Sequence, residues 1–373
     1  MIVSVFECLT YLCFAYVTGA FVFFILPKSK WPDNQPSRRL LLISCLGIGL
    51  LSFAPVFHVI LDLTKDMGFW LSFKGVLFTF EIGQTWLLTL AISILLFLLI
   101  YFNPVHQDPI LSKFALLLAV LLIGTYTKGG HAASLSPTWG FLGHFFHLLA
   151  VSIWGGCLIH AAWSAKSDRN WLAFLKWFTP LALICMVVII GAGFLTMVID
   201  ISPALNRSVT AALGSYREGL VVNYGEALLV KHLLLIPLLL LATFNSVYTR
   251  KQFKAQKPFT PIKWARLESI ILFAIFAVTA YMGQQAPPHD LAQLLHFNGA
   301  SPLFEAIYGG AIPQNFTVHL HFGAISLIFI TFSILLLLLV ALGVVRHLSK
   351  LMVGGLILSY CISSYLAIML AVQ

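Results

Sequence analysis

Apolar residues in this chain neither alternate with polar ones nor recur on one face of a half-buried helix; they fill long continuous runs. A run of ~20 apolar residues is what a helix needs to cross the hydrocarbon core of a bilayer. Ten such runs can be marked, at roughly 3–26, 39–61, 76–102, 113–126, 139–163, 172–199, 224–248, 264–282, 319–345 and 351–371. The run at 113–126 is the shortest. No stretch shows the two-residue alternation of a membrane barrel, so helices are the remaining way to satisfy the backbone in lipid. The pattern predicts an all-α, polytopic transmembrane helix bundle of about ten spans, or eight or nine if the shortest runs do not cross.

Composition agrees. Hydrophobic residues make up 60% of the 373 positions and charged ones only 9%, where a soluble domain carries about 25%. A net charge of +9 would ordinarily raise nucleic acid as a partner. Here the basic residues sit in short loops between apolar runs, where they set topology, so membrane lipid is expected and nucleic acid is not. Alternate loops beginning with Lys28, Lys30, Arg38 and Arg39 hold sixteen lysines and arginines, and the other set holds five. That asymmetry places the first set in the cytoplasm and both termini outside. The six cysteines all lie inside apolar runs without a C-x-x-C, which excludes a disulfide framework or zinc knuckle. The first run lacks preceding basic residues and a small-residue cleavage site, so it is expected to be a retained span. The chain is read as one integral membrane domain, 1–373. Its longest connection, residues 283–318, is an extended extracytoplasmic loop without lysine or arginine, carrying Pro287, Pro288, His289, His296 and Glu305. It is expected to fold over the bundle mouth as a docking or gating element.

Candidate chemistry lies in the histidines. Nine of twelve map to the predicted outer face or outer half: His58, His131, His144, His147, His232, His289, His296, His319 and His321. Polar groups within spans are costly and face a bundle interior or a water-filled cavity. His144 and His147, in "GHFFHLLAVSIWGGCL", are spaced i, i+3 and so share a helical face. With His232 or His58 from another span they are the expected core of a metal site, and His131, His319 and His321 are further candidate ligands. In H-L-H, His319 and His321 diverge on a helix and converge only on extended backbone. Convergent imidazoles suit copper, zinc or haem iron and suit calcium or magnesium poorly. Cys157 and His160 near the inner end of the same span, with Cys185 on the next, are candidate stations of an inward relay. Glu226 and Lys231 both fall in the seventh run, five residues apart and off a common face, so Lys231 is expected to snorkel or to pair with another span. Glu268 is read as a loop-side ion-pair partner of Arg266.

The stretch Gly143–Leu158, a histidine followed by Leu-Leu-Ala, an aromatic and two glycines, resembles the signature helix of the copper resistance D (CopD-like) membrane proteins. "GGH" ending at His131 fits as well. So do the Tyr224-Gly225 … Lys231 … Asn245 helix and the Arg266-x-Glu268 … Pro287-Pro288 segment. The resemblance covers residues 125–290, and the flanking spans match by hydropathy. Position 226 departs from it, with glutamate where the family pattern leads one to expect a basic residue. The soluble copper-binding β-domain that some relatives carry is not expected here. The resemblance implies a copper ion as cargo, transported across the cell (cytoplasmic) membrane. It further implies uptake from an extracytoplasmic copper carrier protein or the medium, with no enzymatic activity. On that basis the glycine pair serves close helix packing beside the site. Two other functions fit the same histidines: a copper-binding assembly factor for a respiratory oxidase, and a haem-binding redox protein.

Overall fold

The computed structural model describes residues 1–33, 35–202, 208–256, 259–288, 291–313 and 316–373. Among these, regular structure is helical, apart from one isolated antiparallel bridge between Leu320 and Val372. The helices are α1 (Ile2–Ile25), α2 (Arg38–Leu51), α3 (Phe53–Met67), α4 (Phe69–Phe78), α5 (Glu81–Phe102), α6 (Pro109–Lys128), α7 (His131–Leu135), α8 (Trp139–Ile159), α9 (Trp171–Ile201), α10 (Val209–Gly219), α11 (Asn223–Lys254), α12 (Pro261–Met282), α13 (Leu291–Asn298), α14 (Pro302–Tyr308), α15 (Ala324–Val345) and α16 (Lys350–Met369). Ten stretches among the described residues are long and apolar enough to cross a membrane, α2 with α3 counting as one and α8 with its π-helical extension as another. The all-α polytopic architecture is as the apolar runs predict.

The ends of several elements differ from expectation, each for a local reason. Helix α6 starts four residues before the apolar run, because Asp108 caps it with an oxygen accepting from the Ile110 and Leu111 amides and Pro109 fits its first turn. Lys113 therefore lies inside the helix and not in a loop. The run expected at 76–102 is split. Its first part belongs to α4, and α5 begins afresh at Glu81. The turn between them is so tight that a side chain on Gly83 would overlap the Val76 carbonyl. The predicted ninth span starts at Ala324 and not at His319. The connection 283–318 contains α13 and α14.

The chain divides into two compact units: Met1–Ile199 with Phe253–Ser269, and Asp200–Gln252 with Ile270–Gln373. In the first, Phe14, Phe21, Ile48, Leu96 and Leu122 form a continuous apolar core from α1, α2, α5 and α6. Side-chain hydrogen bonds fasten these helices where apolar burial alone gives no preference over lipid: Ser93 Oγ to the Cys45 carbonyl (2.5 Å), Trp86 Nε1 to the Gly49 carbonyl (3.0 Å) and Thr89 to Thr125 (2.8 Å). Helices α1 and α8 cross backbone to backbone at Gly19 and Gly156, where a methyl group on either would overlap the other helix's main chain. In the second unit, Phe304, Val318, Tyr365, Met369 and Val372 share a core with Leu220–Val222, Leu229, Leu233, Leu291 and Leu295. Helices α13 and α14 are thus part of a packed structure. Helices α15 and α16 form a hairpin fastened by Ser363 Oγ donating to the Phe329 carbonyl at 3.0 Å.

Candidate functional site

Helix α8 carries His144 and His147, and a glycine makes room for each ring. His144 rests on the turn between α6 and α7: a methyl group at Gly130 would lie 2.8 Å from its Nδ1. The GGH segment and the signature helix, separate in sequence, therefore meet. His147 turns to α9, where its Nδ1 lies 3.0 Å from the Ile189 carbonyl. A methyl group at Gly193, one turn further on, would come within 2.9 Å of the same nitrogen. A carbonyl only accepts, so Nδ1 is the protonated nitrogen of the neutral ring and Nε2 carries the lone pair. This is the tautomer and the supporting bond found in histidines that ligate metals. The two rings thus lean on different neighbours while projecting from one side of α8.

The remaining candidates occupy varied surroundings. His58, on α3, is exposed and its Nδ1 lies 3.1 Å from Asp62 Oδ2, one turn along the same helix. His131 is exposed at the start of α7. In the second unit, His232 on α11 shares a 3.2 Å hydrogen bond between its Nδ1 and the Tyr216 hydroxyl of α10. Burial pushes the Tyr216 phenol up to about 12, so that hydroxyl keeps its proton at neutral pH and can donate it to the ring. His319 and His321 lie on extended backbone, the condition under which the H-L-H pair converges. His296 is exposed near the end of α13, and His289 lies outside the described residues.

Toward the other end of α8, Trp154 and Cys157 are buried. The Cys185 thiol of α9 hydrogen-bonds the Trp154 backbone, and Cys157 neighbours Cys185 across this interface. His160 is fully buried and both its nitrogens are engaged. Nε2 donates to the Tyr16 carbonyl of α1 at 2.9 Å, and Nδ1 lies 3.3 Å from Ser164 Oγ. It fastens α8 to α1 and has no free lone pair for a relay.

Three features escaped sequence reading. Residues His160–Ser164 continue α8 as a π-helical turn, a feature often found at functional positions. Arg266 of α12 clamps it, donating from Nε to the Ala162 carbonyl at 2.9 Å with its guanidinium 5.4 Å from the Trp163 ring centre. Trp163 Nε1 in turn donates to Ser269 Oγ at 2.8 Å. Glu268, expected on the loop side, is 2% exposed. In the second unit, Glu226 is buried and accepts hydrogen bonds from Ser301 Oγ (2.5 Å) and Tyr365 OH (2.7 Å). It thereby ties α11 to the residue capping α14 and to α16. Lys231, expected to snorkel or to pair with another span, interacts electrostatically with Asp200 at the end of α9.

Among the described residues, no three or more His, Cys, Asp or Glu side chains are grouped so as to hold a metal ion.

Comparison with known proteins gives two family matches. The model described as copper resistance protein D matches residues 172–282, and that described as copper resistance protein D-like, N-terminal domain, matches residues 2–141. The likeness thus reaches the N-terminal helices, which sequence reading had matched by hydropathy alone. His58 and His131 fall in the N-terminal match and His232 in the other, while His144, His147 and the π-helical turn lie between them. No curated protein and no solved structure matches the chain. Two matches covering most of an apolar, ten-span helical chain make this a multi-pass membrane protein belonging to the copper resistance protein D family.

Proposed function

We propose that this protein transports copper ions across the cytoplasmic membrane, taking them up from the extracytoplasmic medium or a carrier protein there. The observation that carries this reading is the His147 ring on α8, whose Nδ1–H donates to the Ile189 carbonyl and so fixes the neutral tautomer with its lone pair on Nε2. Family membership supports copper as the ion, and imidazole nitrogen is a good ligand for it. His144, on the same side of α8, is the natural companion, with His131 and His58 as further ligands of an outer site. His319 and His321 lie near the chain's other end. The sixteen-to-five distribution of basic residues supports the orientation, with both termini outside.

Beyond the imidazoles, Cys157 and Cys185 offer soft sulfur ligands across the α8–α9 interface, which suit copper(I). Transport then consists of capture by nitrogen and handover to sulfur, each step weak enough to release the ion. Lipid surrounds the bundle, and on this reading α13–α14 is the docking element for a carrier protein.

The test is copper accumulation in cells expressing the wild-type chain or His147→Ala at equal levels, with copper bound to the purified protein measured alongside. Wild-type accumulation by the variant contradicts the proposal.

A further inference from the structure

We infer that His319 and His321 form a two-imidazole chelate for a divalent transition-metal cation, copper(II) foremost, on the solvent face of a short β-pair. Residues 319–321 run antiparallel to 371–373. The His319 amide donates to the Gln373 carbonyl and the Gln373 amide to the His319 carbonyl, both at 2.9 Å. The His321 amide donates to the Ala371 carbonyl at 2.7 Å, and Leu320 and Val372 form the bridge between these pairs. Three hydrogen bonds thus hold the H-L-H backbone extended.

Side chains on an extended segment alternate between faces. Val318 and Val372 are 1% and 5% exposed and belong to the second unit's apolar core. That fixes which face points inward, and His319 and His321 take the other one, where both are exposed. At about 3.3 Å per residue their α-carbons are roughly 6.6 Å apart. Two imidazoles at that spacing, each bonding at about 2.0–2.1 Å, can close on one ion between them. In Val-His-Leu-His-Phe, Val318 enters the core and both imidazoles take the opposite, exposed face, while Leu320 and Phe322 are themselves 40% and 45% exposed. Two neutral nitrogens on a solvent-exposed face favour a borderline cation such as copper(II), nickel(II) or zinc(II) over calcium or magnesium. The choice of copper(II) rests on the transport proposal, whereas the chelate itself does not.

The experiment is a copper(II) titration of the purified full-length chain in detergent, followed by electron paramagnetic resonance, in a His147→Ala background so that this site is read alone. One equivalent of copper(II) with two-nitrogen coupling is expected. His319→Ala and His321→Ala, both at exposed positions and leaving the backbone bonds intact, should each weaken that equivalent roughly 10²-fold by removing one arm of the chelate. Exchanging positions 320 and 321 (Leu320→His with His321→Leu) keeps the composition but puts the imidazoles on opposite faces, and should weaken binding as much as a single alanine. Undiminished binding by the double alanine variant, or by the exchanged variant, overturns the inference. Loss of binding in these variants with cellular copper accumulation unchanged would uphold the chelate and separate it from transport. Normal chelation with no accumulation by the wild-type chain would instead count against the transport proposal alone.

Discussion

Replacing Gly156 by alanine tests the packing that sets α8 against α1. A methyl group there would overlap the Ala15 carbonyl oxygen and stand 2.8 Å from the Gly19 nitrogen. Both are main-chain atoms of a helix and cannot swing aside as a side chain can. Carbon atoms settle at about 3.5–4.0 Å, so the two helices must part by roughly 1 Å. A gap of 0.5–1 Å forfeits about a quarter to a half of each contact's attraction. In a membrane, helix association depends on such contacts because lipid is as apolar as the helix surface. Overpacking typically costs about 1–3 kcal/mol, and a backbone-on-backbone collision should fall at the upper end. Gly191 of α9 is the matched control, since nothing lies within 4 Å of a methyl group placed on it. Gly191→Ala should be neutral or gain up to about 1 kcal/mol of helix propensity. Thermal unfolding of the purified variants in one detergent checks this: Gly156→Ala should melt several degrees below the parent and Gly191→Ala at or above it. A Gly156→Ala protein with the parent's melting temperature would refute the crossing.

Other outcomes follow from the same geometry. Glu226→Ala strands the Ser301 and Tyr365 hydroxyls, and at about 1–3 kcal/mol for each buried group left unbonded it should lower the melting temperature and speed proteolysis between α12 and α15. Glu226→Gln, which keeps a carbonyl acceptor, should do much less, and equal losses would count against the latch. Arg266→Lys should destabilise nearly as much as Arg266→Ala, by about 1–3 kcal/mol, because neither retains the Nε bond to Ala162 or the guanidinium over the Trp163 ring; a lysine variant with the parent's melting temperature would show that charge alone suffices. Cys157→Ala should leave copper binding at the histidines intact while slowing accumulation, and unchanged uptake kinetics would remove the cysteines from the path.

The helical bundle was legible because apolar runs of spanning length signal their structure without reference to anything distant. Errors came where that signal is interrupted. Lys113 inside α6 looked like a loop residue, and His319 to Phe322 were absorbed into the apolar run of α15 although their alternation has the period of a strand. Helices α13 and α14 are too short to register as apolar runs, and their order depends on packing against α10, α11 and α16. The i, i+3 pair on α8 could be read from spacing. That His144 meets Gly130 while His147 meets Ile189 could not, because the neighbours of a helix face are set by tertiary packing. Glu226 stands out in the sequence as a charge within a span and as a departure from the family pattern. Its partners Ser301 and Tyr365 lie 75 and 139 positions away, and no local motif joins them. The π-helical turn at His160–Ser164 likewise has no local sequence signature; Arg266 and Ser269, the latter through Trp163, hold it from across the fold.

Copper accumulation tests the central claim most directly. Cells expressing the wild-type chain, His147→Ala or no chain are given the same copper supply, and cell-associated copper is measured over time at matched expression. The His147 Nε2 lone pair, fixed by the bond from Nδ1 to Ile189, predicts rapid accumulation with the wild-type chain and accumulation at the no-chain level with His147→Ala. Equal accumulation by the wild-type and His147→Ala proteins would contradict the account.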